Sequence, residues 1–106
     1  MPMTVIVTRD VADRVRGFLA SVTLEIAPGV YTAPAMSAAV RGRVWRVLEE
    51  WHAALGGGAI VMTWAEPKAP GGHGLAMLGT PPRELVEYDG LVLVRQRAPA
   101  PDGPAA

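Results

Sequence analysis

The residues best suited to chemistry in this chain are arginines. Arg14 and Arg16 stand two apart, with Gly17 immediately after them. A guanidinium is always charged and offers forked N–H donors that match phosphate or carboxylate oxygens. Nine of the ten basic residues are arginine, so forked contacts are favoured throughout. Their distribution is uneven. Residues 1–48 carry six arginines against three acids, while residues 49–106 carry four cations against seven acids. Zero net charge excludes general polyanion binding but permits a local arginine patch.

Other chemistry is sparse. Asp10 follows a β-branched run, a place where a nuclease can hold a metal carboxylate. A divalent cation needs several oxygen ligands, usually from two or more carboxylates. One subunit offers only Asp10 and Asp13 there, so Mg2+ binding would need two copies of Asp10 across a dimer axis. Arg9 opposes such a site electrostatically. A helix cap at Asp10 is the simpler expectation. His52 and His73 have no acid at metal-ligand spacing. His52 is expected in a solvated or interface position on a helix, and His73 in a glycine-rich loop. The chain has no cysteine, so disulfides and thiolate metal sites are excluded. It carries neither a phosphate-binding G-x-x-x-x-G-K run nor a G-x-S-x-G elbow.

Positioning these residues takes one domain of 106 residues, half of them apolar. Thr4–Thr8 reads as a buried strand. Val11, Val15, Phe18, Leu19 and Val22 repeat at helical spacing, and Arg14 and Arg16 flank that stripe on opposite sides. Gly17 then faces outward, where it costs about 1 kcal/mol against alanine. Either the helix simply tolerates that cost, or close approach of something large to its backbone accounts for the glycine. Leu24–Met36 reads as extended chain broken at Pro28-Gly29, as two short strands with one bent strand as the alternative. Ser37 is placed to cap a second helix carrying Val40, Val44, Val47, Leu48, Trp51 and Leu55, which Gly56-Gly57-Gly58 stops. Trp45 lies off that stripe and is a candidate interface anchor. A strand at Ala59–Ala65, a loop at Glu66–Gly74 and a short strand at Leu75–Leu78 follow. Thr80-Pro81-Pro82 reads as a turn, and Leu91–Val94 as a last strand entered through Asp89-Gly90. The expected fold is α+β: a ferredoxin-like β-α-β-β-α-β domain over residues 1–97 with extra C-terminal strands. A sheet with helices on one face leaves the other needing cover, so a homodimer is expected. Residues 98–106 are expected to be a disordered, proline-rich tail. The start has no basic, apolar leader and no run approaches the roughly 20 residues of a spanning helix, so a cytoplasmic protein without membrane contact is expected.

Several segments in order resemble CRISPR-associated protein 2 in its type I-E form. They are the opening strand to Val7-Thr8, then Arg14-x-Arg16-Gly17, then Leu24-Glu25-Ile26-Ala27-Pro28-Gly29-Val30-Tyr31. Ser37-Ala38 with Arg41 and Trp45, Val61-Met62-x-Trp64-Ala65 and Asp89-Gly90-Leu91-x-Leu93-Val94 complete the set. The resemblance implies a homodimer that binds double-stranded protospacer DNA and joins dimers of the integrase, CRISPR-associated protein 1, during spacer acquisition. It implies DNA-binding roles for Arg14, Arg16 and Arg83, the last placed in the turn before the final strand. Arg41 and Arg43 join them as candidates on the second helix. Relatives have a lysine where this chain has Ala39 and a second basic residue where it has Pro82. An acid directly after Thr8 in relatives is Arg9 here, with Asp10 one step later. The last strand, Leu91, Val92, Leu93, Val94 and Arg95, is the expected place for a partner to add at a sheet edge.

Three functions compete at this stage. An adaptor that holds DNA needs no cofactor. A metal-dependent endonuclease would use Asp10 and Mg2+ across the dimer. A ferredoxin-like regulatory or toxin-type domain would have no CRISPR role.

Overall fold

The structure is a computed structural model that describes residues 2–79, together with the strands at 83–88 and 91–96. Strands β1 (Thr4–Arg9), β2 (Leu24–Ala27), β3 (Val30–Ala33), β4 (Ala59–Ala65) and β5 (His73–Leu78) form one sheet in the order β2-β3-β1-β4-β5. All its neighbouring pairs are antiparallel. Helices α1 (Asp13–Val22) and α2 (Ala38–Leu55) supply the connections between β1 and β2 and between β3 and β4. The first four strands with the two helices make the ferredoxin-like unit, and β5 extends it beside β4. β6 (Arg83–Tyr88) and β7 (Leu91–Gln96) pair as a separate two-stranded sheet.

Alternation along the strands decides the core. Thr4 and Ile6 on β1, Tyr31 on β3, and Ile60 and Met62 on β4 are all buried on one face. Val15 and Leu19 of α1 and Val44 and Leu48 of α2 meet them there, with Met36 closing the end. Each such large apolar side chain contributes about 1.5–3 kcal/mol by leaving water. Two buried hydroxyls, Thr4 Oγ1 and Tyr31 Oη, have no hydrogen-bond partner among the described residues.

The residues that alternate with this buried set, Val5, Thr32, Val61 and Thr63 among them, lie on the opposite face of the sheet and are half-buried. Met3, Val7, Leu24 and Ile26 are 53%, 43%, 65% and 59% exposed, a large apolar surface left in water. β2 is the edge strand on this side. A register shift between Glu25 and Ala27 interrupts its pairing with β3, and such bulges blunt an edge against further strands.

Local chemistry sets the boundaries. Ser37 caps α2 as expected, its Oγ accepting from the Val40 N–H at 3.2 Å. Gly56 ends the helix by donating its N–H to the His52 carbonyl. Asp10 does not cap α1. It adopts φ +54°, and the cap position is Ala12, without a side-chain bond. Aspartate tolerates the left-handed region better than most residues, so Asp10 makes the turn and the helix starts later. Asp13 falls in the first helical turn, where a carboxylate meets the positive end of the helix dipole. Thr23 closes the other end, its N–H and hydroxyl both reaching the Leu19 carbonyl. Gly29 holds the β2–β3 turn at φ +78° against β1, its carbonyl accepting from the Thr8 N–H at 2.7 Å.

Other expectations need correction. Val22, Val40 and Leu55, assigned to core stripes, are 44%, 37% and 50% exposed; each lies in the first or last turn of its helix. β5 begins at His73, not Leu75, so His73 and Gly74 pair with Ala65 and Trp64. A 3-10 turn over Pro70–Gly72 shortens the loop before it. β6 is an addition to the expected elements, and it places Arg83 at the start of a strand opposite Gln96. The Thr80–Pro82 turn and the tail at 98–106 lie outside the described residues. Among the described residues, no helix is long and apolar enough to cross a membrane.

Candidate nucleic-acid interface

α1 presents the first two arginines as its amphipathic pattern requires. Burial of Val15 and Leu19 against the sheet turns Arg14, Arg16 and Gly17 outward, and all three are exposed. A side chain at Gly17 would meet open space, so the helix backbone is directly approachable there. Arg14 lies over the Trp51 indole of α2, with its guanidinium carbon 5.8 Å from the ring centroid. Trp51 in turn meets Phe18 edge-on at 5.2 Å, which ties the two helices together. Arg16 faces Glu25 of β2 across 3.9 Å, with half of its side chain still exposed. Glu25 is also held by the Gly29 N–H at 3.0 Å, so the acid is fixed in place.

α2 carries the next group. Arg43 and Arg46 are exposed, and Gly42 between Arg41 and Arg43 also has open space above it. Arg41 is half-buried, with its guanidinium carbon 4.3 Å from the centroid of the Trp64 ring on β4. The Trp64 indole N–H donates to Glu66 Oε1 at 3.3 Å. Trp45 packs partly buried against the core, so it serves the fold more than a free surface. His52 is half-buried and its Nε2 lies 3.3 Å from the Gly58 carbonyl, which makes it a latch on the loop after α2 instead of a solvated group.

Asp10 is exposed in its turn and lines a cavity of about 360 Å3 with Thr8, Val11, Arg16, Pro28 and Gly29. Its polar side-chain neighbours there are one hydroxyl and one cation, not further carboxylates. Among the described residues, no group of three or more His, Cys, Asp or Glu side chains could hold a metal ion. Arg83 opens β6. Leu91, Val92, Leu93, Val94 and Arg95 form most of β7, paired on one edge with β6.

Sequence spacing alone finds Arg14, Arg16 and Gly17 but not their intramolecular partners. Trp51, Trp64 and Glu25 meet the arginines across the fold, and no local motif signals those contacts.

A family model described as CRISPR-associated protein (Cas_Cas2CT1978) matches residues 3–93. The chain belongs to the CRISPR-associated protein 2 family. The match covers the whole ferredoxin-like unit and both arginine-bearing helices, and it extends into β7. A regulatory or toxin-type domain without a CRISPR connection is thereby set aside.

Proposed function

We propose that this member of the CRISPR-associated protein 2 family is an adaptation subunit. As a homodimer it holds double-stranded protospacer DNA and bridges dimers of the integrase, CRISPR-associated protein 1. The observation that carries the proposal is the outward pair Arg14 and Arg16 beside the uncovered backbone at Gly17. Guanidinium contacts to phosphate oxygens position a duplex without reading its sequence, which capture of arbitrary DNA requires. The second subunit would cover the apolar sheet face that includes Val7, Leu24 and Ile26. It would also repeat every arginine about a twofold axis, turning two short patches into one track.

Three arginines per subunit, doubled by symmetry, would neutralise about six phosphates. Affinity would then fall roughly a thousandfold between about 50 and 200 mM salt. The integrase would break and join strands, while this chain supplies surface and spacing. That role needs no cofactor. β7 offers the partner a strand to extend.

Changing Arg14→Ala together with Arg16→Ala tests the proposal. Binding of a mixed-sequence duplex, followed by fluorescence anisotropy across a salt series, should weaken. The salt slope should drop by about 0.9 for each phosphate no longer gripped. Circular dichroism should be unchanged, because both side chains are exposed. Parental affinity and slope in the double variant would remove the basis of the proposal.

A further inference from the structure

We propose that Trp64 is a positioning residue for DNA binding: it holds the Arg41 guanidinium ready for a phosphate while itself remaining off the DNA. The inference rests on the adaptor function above and adds to it a residue that acts through another.

The geometry is built from three elements. Arg41 sits in the first turn of α2, its own N–H bonded to the Ser37 carbonyl, so its backbone is fixed. Trp64 projects from β4 on the helix-bearing face of the sheet, in register with Gly74 of β5. A β-carbon added at Gly74 would overlap the indole, so the ring lies directly across the β5 backbone. The indole N–H bond to Glu66 then sets the ring's rotation. Arg41 rests over a ring that is held from below and at its edge, with its guanidinium carbon 4.3 Å from the centroid.

That seat matters because a free arginine must lose rotamer freedom before it grips a phosphate. A cation held over an aromatic face is restrained without using its N–H donors as a carboxylate would, which leaves them for a forked contact. Arg14 over Trp51, at 5.8 Å, is held less closely. Gly74 is explained by the same arrangement, since any side chain there would displace the ring and the cation with it.

The test uses the full chain, a mixed-sequence duplex and a salt series, with thermal melting as the control for folding. Arg41→Ala should cut the salt slope by about 0.9 per subunit. Trp64→Leu should weaken binding to a similar extent although no charge is removed. The double variant should bind no more weakly than Arg41→Ala alone. Trp64→Phe keeps a ring of weaker cation affinity, so its binding should fall between the parent and Arg41→Ala. If Trp64→Leu does not fold, Trp64→Phe decides the matter, and parental affinity there overturns the proposal. So do additive losses in the double variant. No effect of Arg41→Ala, alongside weakened binding by the Arg14/Arg16 pair, would sink the positioning role and leave the adaptor function standing. No effect in any of these variants would remove the adaptor function itself.

Discussion

Three arginines of the helices, Arg14, Arg16 and Arg41, each have something to lean on. Arg14 has Trp51, Arg16 has Glu25, and Arg41 has Trp64. These partners differ in kind. An indole face leaves the N–H donors available, whereas a carboxylate competes with phosphate for them. Glu25→Gln should therefore tighten duplex binding by about two- to fivefold at low salt, with the gain shrinking as salt rises. The glutamine oxygen can still accept from the Gly29 N–H, so the turn should survive. Equal affinity of parent and variant in the anisotropy assay would show that Glu25 does not hold Arg16 back. A second residue-scale consequence lies in the core. The Tyr31 hydroxyl is fully buried without a partner among the described residues. Removing an unsatisfied polar atom while keeping the ring is neutral or favourable. Tyr31→Phe should leave stability unchanged or raise it by up to about 1 kcal/mol in urea denaturation. A clear loss would reveal an ordered water or other partner.

At the scale of elements, much is legible in the sequence because burial imposes its period on it. Both helices, the Pro28-Gly29 break and the Ser37 cap follow from apolar spacing and capping chemistry. What escapes is set by tertiary contact. β6 mixes Glu84 and Glu87 with Leu85, Val86 and Tyr88, and its pairing with β7 is needed to define it. Asp89-Gly90, which reads as an entry to the last strand, lies outside the described residues. Gly74 reads as loop because its reason for being glycine is a tryptophan on the neighbouring strand. The same logic applies to the β2–β3 turn. At Gly29 the backbone is left-handed, and a β-carbon would come within 2.8 Å of the Thr8 carbonyl oxygen. Gly29→Ala should cost about 1–3 kcal/mol in thermal or denaturant unfolding. A far smaller cost would mean that the turn relaxes freely.

For the molecule as a whole, the helices cover one side of the sheet, and the proposed homodimer would cover the other. Val7, Leu24 and Ile26 are the large exposed apolar residues of its strands. Leu24→Asp with Ile26→Asp should convert a dimer to a monomer in light scattering coupled to size exclusion, at unchanged secondary structure. A variant that remains dimeric would place the twofold contact elsewhere, at the C-terminal strands. In the proposed dimer the second copy would repeat the arginines about a twofold axis and lengthen the track offered to a duplex. The family match extends over both helices and the whole five-stranded sheet, so the apolar face and the cationic helices belong to one inherited unit.

If the proposed second copy covers the open sheet face, abundance becomes a determinant of durability. If part of the hydrophobic gain of folding arrives only on meeting another copy, the melting temperature must climb with protein concentration. A cell that made little of this chain would then keep it closer to collapse and proteolysis, and a docked integrase would act as a stabiliser as well as a workmate.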